Sequence, residues 1–129
     1  MIAVDTNILV RFLVRDNPTQ AARAAALIRA NEIWVSKTVL LETEWVLRSL
    51  YGFSLESLTR ALTALAGLRT VFLEDEVAVA KALDWLDQGL DFADALHLAS
   101  AGKATQFATF ERKLARQARR TTTLETISL

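Results

Sequence analysis

Two patterns of apolar positions alternate along the chain. Short runs at Ile2 to Val4, Ile33 to Val35, Thr70 to Leu73, Phe107 to Thr109 and Thr122 to Leu124 have the length expected of strands. Between them apolar residues recur at three-and-four spacing, the period of a helix with one buried face. Ile8, Leu9, Phe12 and Leu13 make the first such stripe, stopped by Asp16-Asn17-Pro18, after which Thr19 can cap an Ala-rich helix from Gln20 to Ala30. Val39, Leu40, Thr43, Val46, Leu47 and Leu50 make another that ends at Gly52, and Ser54 caps a helix over Leu55 to Ala66. Further helices are predicted from about Glu76 to Leu86, from about Asp94 to near Gly102, and over Phe110 to Ala118.

Strands alternating with helices predict an α/β fold with a central parallel sheet of about five short strands flanked by helices, because parallel strands need crossover connections. No linker or repeat interrupts the pattern, so residues 1–129 read as one domain. In such sheets functional groups gather at the carboxyl ends of the strands. Asp5, Ser36 and Thr109 are thereby expected on one rim.

Composition narrows the chemistry. With 0 Cys and 1 His, thiolate catalysis, disulfides, cysteine zinc sites and histidine metal cages are excluded. None of the serines lies in a G-x-S-x-G turn, and the isolated glycines at 52, 67, 89 and 102 form neither a P-loop nor a dinucleotide fingerprint. No apolar run approaches the ~20 residues of a membrane span, and no basic segment leads the chain. The expected location is the cytoplasm, with no membrane partner.

The remaining chemistry lies in carboxylates. Asp5 ends the first strand, where it can also cap the following helix. Glu42 lies past the capping positions of its helix, so its alternative is a solvated face, and Glu44, two residues on, must point elsewhere. Asp91 and Asp94 stand at a helix entrance and Glu111 at another, where the helix dipole favours negative charge. His97 follows Asp94 by one turn and is expected to pack in the core rather than ligate a metal. Asp5, Glu42, Asp94 and Glu111 come from four separate elements that a parallel sheet would bring to one edge. Four such charges repel without a divalent cation, and an all-oxygen set suits Mg²⁺ or Mn²⁺. Metal-dependent phosphodiester hydrolysis is the chemistry this implies.

Net charge is +0, so any nucleic-acid argument rests on placement. Six basic residues lie between Gly102 and Thr123 against the single acid Glu111, among them Arg112, Lys113 and Arg116. Arg11 and Arg15 follow Asp5 by one and two turns. Together these can follow a nucleic-acid backbone, although a solvated helix face explains a charge run equally well.

MIAVDTNILVRFLV, VSKTVLLETEWVL, DFADALHLASA and ATFERKLAR together resemble the PIN-domain ribonucleases, and among them the VapC-type toxins of type II toxin–antitoxin pairs. The resemblance spans nearly the whole chain. It implies a PIN fold, one or two Mg²⁺ or Mn²⁺ ions, an RNA substrate, a small VapB-type antitoxin and a homodimer, for which Trp45, Leu50 and Tyr51 are candidate contacts. By position it makes Asp5 and Asp94 metal ligands, Glu42 a ligand directly or through water, and Asp91 the acid preceding the F-x-D-A aspartate. The family usually has T-F-D where this chain has Thr109-Phe110-Glu111, so Glu111 would reach metal through water. Asn7, Ser36 and Thr109 fall where polar side chains hold carboxylates or the attacking water. The rival expectations are a PIN module that binds nucleic acid or a regulatory partner without cutting, and a nuclease of RNA maturation or DNA repair.

Overall fold

The computed structural model describes residues 1–129. Its elements alternate as the hydrophobic pattern requires: β1 (Ile2–Ala3), α1 (Thr6–Val14), α2 (Pro18–Ala30), β2 (Ile33–Val35), α3 (Lys37–Ser49), α4 (Leu55–Ala66), β3 (Val71–Leu73), α5 (Glu76–Asp87), α6 (Phe92–Ala99), β4 (Gln106–Thr109), α7 (Arg112–Thr121) and β5 (Glu125–Ser128). All strand pairings are parallel. They form two sheets: three strands in the order β1-β2-β3, and a separate pair β4-β5. The expected five strands are present, but hydrogen bonding divides them.

Register explains the burial. Ile33 pairs with Ile2 and Val71 across the first sheet, and Ala3, Trp34 and Phe72 form the next row. Alternation along β2 buries Ile33 and Val35 and leaves Trp34 exposed, as a period of two demands. The core contains 22 buried residues, among them Leu9, Ile33, Leu40, Leu47, Leu62 and Phe92. α3 packs against α1, α4 and α6, and α5 packs most extensively on α6. No helix is long and apolar enough to cross a membrane.

Element ends differ from the sequence expectation where capping decides them. Asn17, rather than Thr19, caps α2: its side chain accepts from the Gln20 N–H at 3.1 Å and Pro18 takes the first helical turn, where its missing N–H costs nothing. Asp91 accepts from the Asp94 N–H at 3.1 Å, so α6 begins at Phe92, before Asp94, and stops at Ala99. α7 starts at Arg112 instead of Phe110, because Thr109 Oγ1 accepts the Glu111 N–H at 3.0 Å and holds that turn open. The last strand is Glu125–Ser128 rather than Thr122–Leu124, its place set by pairing Gln106 with Glu125.

Candidate active site

Asp5 follows β1 in an extended conformation and caps α1, one carboxylate oxygen accepting the Ile8 N–H at 3.4 Å. The capping role and the position at the strand's carboxyl end therefore coexist. The next residue, Thr6, is buried, and its hydroxyl donates to Glu42 Oε1 across the α1–α3 packing. Glu42 is thus tied to the Asp5 turn. Nothing in the sequence singled out Thr6; the available signal was a hydroxyl directly after the strand-end aspartate. Thr6→Val keeps the shape and removes the donor. Denaturant titration should show a loss of about 1 kcal/mol, the net worth of one intramolecular hydrogen bond.

Glu44 diverges from Glu42, as residues two apart on a helix must. It is 2% exposed, and Arg48 Nε donates to it at 2.9 Å. That hydrogen bond, together with the charges of Glu44 and Asp91, holds the Arg48 guanidinium above its ordinary value against the opposing effect of burial. The two glutamates serve different neighbourhoods, Glu42 toward Thr6 of α1 and Glu44 toward Arg48.

Asp91, Asp94 and Glu111 form the second acidic group. Asp94 is half-buried, and its carboxyl is held above the ordinary value of 3.8, first by burial and then by the charges of Asp91 and Glu111, with His97 opposing. Glu111 occupies the cap position of α7 without a side-chain bond to the helix, so its carboxylate is not spent on capping. Thr109 positions the Glu111 backbone, whereas Ser36 caps α3 through the Val39 N–H at 3.2 Å and touches no carboxylate. His97 is exposed rather than packed in the core. It follows Asp94 by three residues, about one turn along α6.

No three of these acids already converge on a single ion position. They stand in two groups, Asp5 with Glu42 and Asp91 with Asp94 and Glu111, and α3 packs against the helices that carry both. The donors fit a hard divalent cation: all are carboxylate oxygens, and the like-charge load on Asp94 is what a cation relieves.

The basic residues divide more sharply than their spacing implied. Arg11 is held by Gln20 at 2.6 Å, Asp16 at 3.2 Å and the Tyr51 hydroxyl at 3.3 Å, and it lines a cleft that also contains Asp5 and Asn7. Arg15 turns away, its guanidinium 5.8 Å from the Phe12 ring centroid, and lines a different cleft. Arg112, Lys113 and Arg116 are exposed on α7, Lys113 beside Arg48 and Asp91. Arg23, in the Ala-rich helix that drew no functional reading, shares the Asp5 cleft. A cleft of about 580 Å³ between α4 and α5 contains none of these residues.

No curated protein and no solved structure matches the sequence. The PIN domain matches residues 2–120, from β1 into α7, so the matched span contains both acidic groups and the parallel strands that carry them. On that match the chain belongs to the PIN-domain family.

Proposed function

We propose that this protein is a metal-dependent endoribonuclease of the VapC toxin type, cutting RNA phosphodiester bonds in the cytoplasm and neutralised by a small VapB-type antitoxin. PIN domains are in general metal-dependent nucleases, and that membership supports a hydrolase acting on nucleic acid. The observation that supports the reading within this chain is the gathering of acids around Asp94, whose carboxyl is raised first by burial and then by the charges of Asp91 and Glu111. Such an arrangement favours a bound cation over ionised acids alone.

Asp5, Asp94 and Glu42 would hold Mg²⁺ or Mn²⁺, with Glu111 acting through water. When bound, the ion activates water and offsets charge developing on the phosphate. Thr6 fixes Glu42, Thr109 fixes the Glu111 turn, and Asp91 sets the start of the Asp94 helix. Arg11, Arg112, Lys113 and Arg116 supply positive charge for the RNA backbone. Trp45 and Leu50 are 51% and 66% exposed on or beside α3 and suit a homodimer contact, while the Tyr51 hydroxyl is engaged with Asp16 and Arg11 of its own chain.

Incubating the antitoxin-free protein with total cellular RNA, in Mg²⁺, Mn²⁺ or EDTA, and mapping 5′ ends tests the reading. Discrete ends in either metal and none in EDTA are expected. The absence of metal-dependent ends from folded protein would overturn it and favour a module that binds without cutting. Glu111 in place of the usual aspartate favours that second reading, and Mn²⁺ calorimetry separates the two.

A further inference from the structure

We propose that the cleft between α1 and α2 is the subsite for the nucleotide adjoining the scissile phosphate, and that Arg23 is its phosphate ligand. The inference rests on the nuclease reading above and specifies where its substrate lies. The cleft measures about 430 Å³, a volume in the range of pockets that enclose small organic ligands. Asp5 stands on its wall, so an occupant lies directly beside the acidic edge.

Its two arginines are unlike. Arg11 is pinned by Gln20, Asp16 and Tyr51, with its charge balanced by the Asp16 carboxylate 3.2 Å away. Arg23 is exposed and makes no ion pair or side-chain hydrogen bond, although it lines the same cleft. A free guanidinium presents a planar fork of donors that matches two phosphate oxygens. Placed near Asp5, it also offsets the repulsion between that carboxylate and an approaching strand.

The rest of the cleft suits the remainder of a nucleotide. Ile8, Ala24 and Leu27 supply an apolar wall for a base or sugar face, and the amides of Asn7 and Gln20 supply polar contacts at its rim. Gln20 gives its oxygen to Arg11, which leaves its NH₂ donors for a ligand. Ala24 is buried where α2 lies against α1 and keeps that wall low, while Arg23 stays on the rim. Arg15, the other arginine that the sequence associated with Asp5, lines a separate cleft with Arg29.

The test measures binding of a fluorescein-labelled single-stranded RNA by anisotropy, in EDTA across a salt series, for the parent, Arg23→Gln, Arg23→Lys and Arg60→Gln. Arg60 is paired with Glu56 on α4 at 2.9 Å and serves as the control. Arg23→Gln should weaken binding by about tenfold and lower the salt slope by about 1, with an unchanged unfolding midpoint. In Mn²⁺ its KM for cleavage should rise by a similar factor while kcat stays close to the parent's. Arg23→Lys should recover much of the affinity, and Arg60→Gln should match the parent. A parent that cleaves RNA while Arg23→Gln keeps its affinity, salt slope and KM would overturn the subsite alone. A folded parent that neither binds nor cleaves RNA would overturn the subsite together with the nuclease reading.

Discussion

Asp94→Asn should abolish RNA cleavage, by roughly a thousandfold or more, and at the same time make the metal-free protein more resistant to heat. If Asp94 ligates the metal as proposed, its loss removes several kcal/mol of transition-state stabilisation, which sets the first magnitude. The second effect has a different origin. Burial, Asp91 and Glu111 together raise the Asp94 carboxyl above 3.8, so the folded chain holds that proton more tightly than the unfolded chain. The resulting stability is fully present below about 3.8 and is lost as pH rises through the raised value. At neutral pH the ionised group is a burden, and the neutral amide relieves it. Scanning calorimetry at pH 7 in EDTA should therefore place the variant's Tm above the parent's. Added Mn²⁺ should raise the parent's Tm by mass action and leave the variant's almost unmoved. A variant that still cuts, or a parent indifferent to Mn²⁺, would remove Asp94 from the metal centre.

Phe92→Ala should be the most destabilising single change near the site, by about 3–5 kcal/mol. Phe92 is 0% exposed in the core and stands at the first position of α6, between the capping Asp91 and Asp94. Its removal leaves a cavity under the turn that presents both carboxylates, in a protein whose whole stability is of the order of 10 kcal/mol. Urea titration should show a lower midpoint with an unchanged slope. Phe110 gives the contrast: it is 80% exposed beside Thr109, and Phe110→Ala should shift the midpoint by less than about 0.5 kcal/mol. Equal losses at the two positions would contradict the packing described here.

The two phenylalanines show where sequence reading stops. Both precede an acid within two residues and both sit near a helix start, yet one is core and the other faces water. Phe92 belongs to the core cluster and Phe110 does not, a difference set by how the helices pack, which no local pattern encodes. The same holds at Glu42 and Glu44. Their spacing showed that they diverge, but only the packing of α3 gave Glu42 the Thr6 hydroxyl and buried Glu44 beside Arg48.

Local chemistry was written in the chain itself. Hydrophobic period separated strands from helices, and side chains able to accept backbone N–H groups marked helix starts at Asp5 and Ser54. The lack of cysteine and the single histidine left carboxylates as the candidate metal-binding set, and Asp5, Asp94 and Glu111 fell at or beside helix starts. These properties depend on residues within a few positions of one another, which is why sequence alone determined them. Tertiary structure decided what depends on distant partners: the division of five strands into two sheets, the exposure of His97, the charge gathered at Asp94, and the pairing of Arg11 that leaves Arg23 free. These contacts join different elements, from the turn after α1 for Arg11 and Asp16 to 36 residues for Thr6 and Glu42, so their geometry is set by how the elements pack.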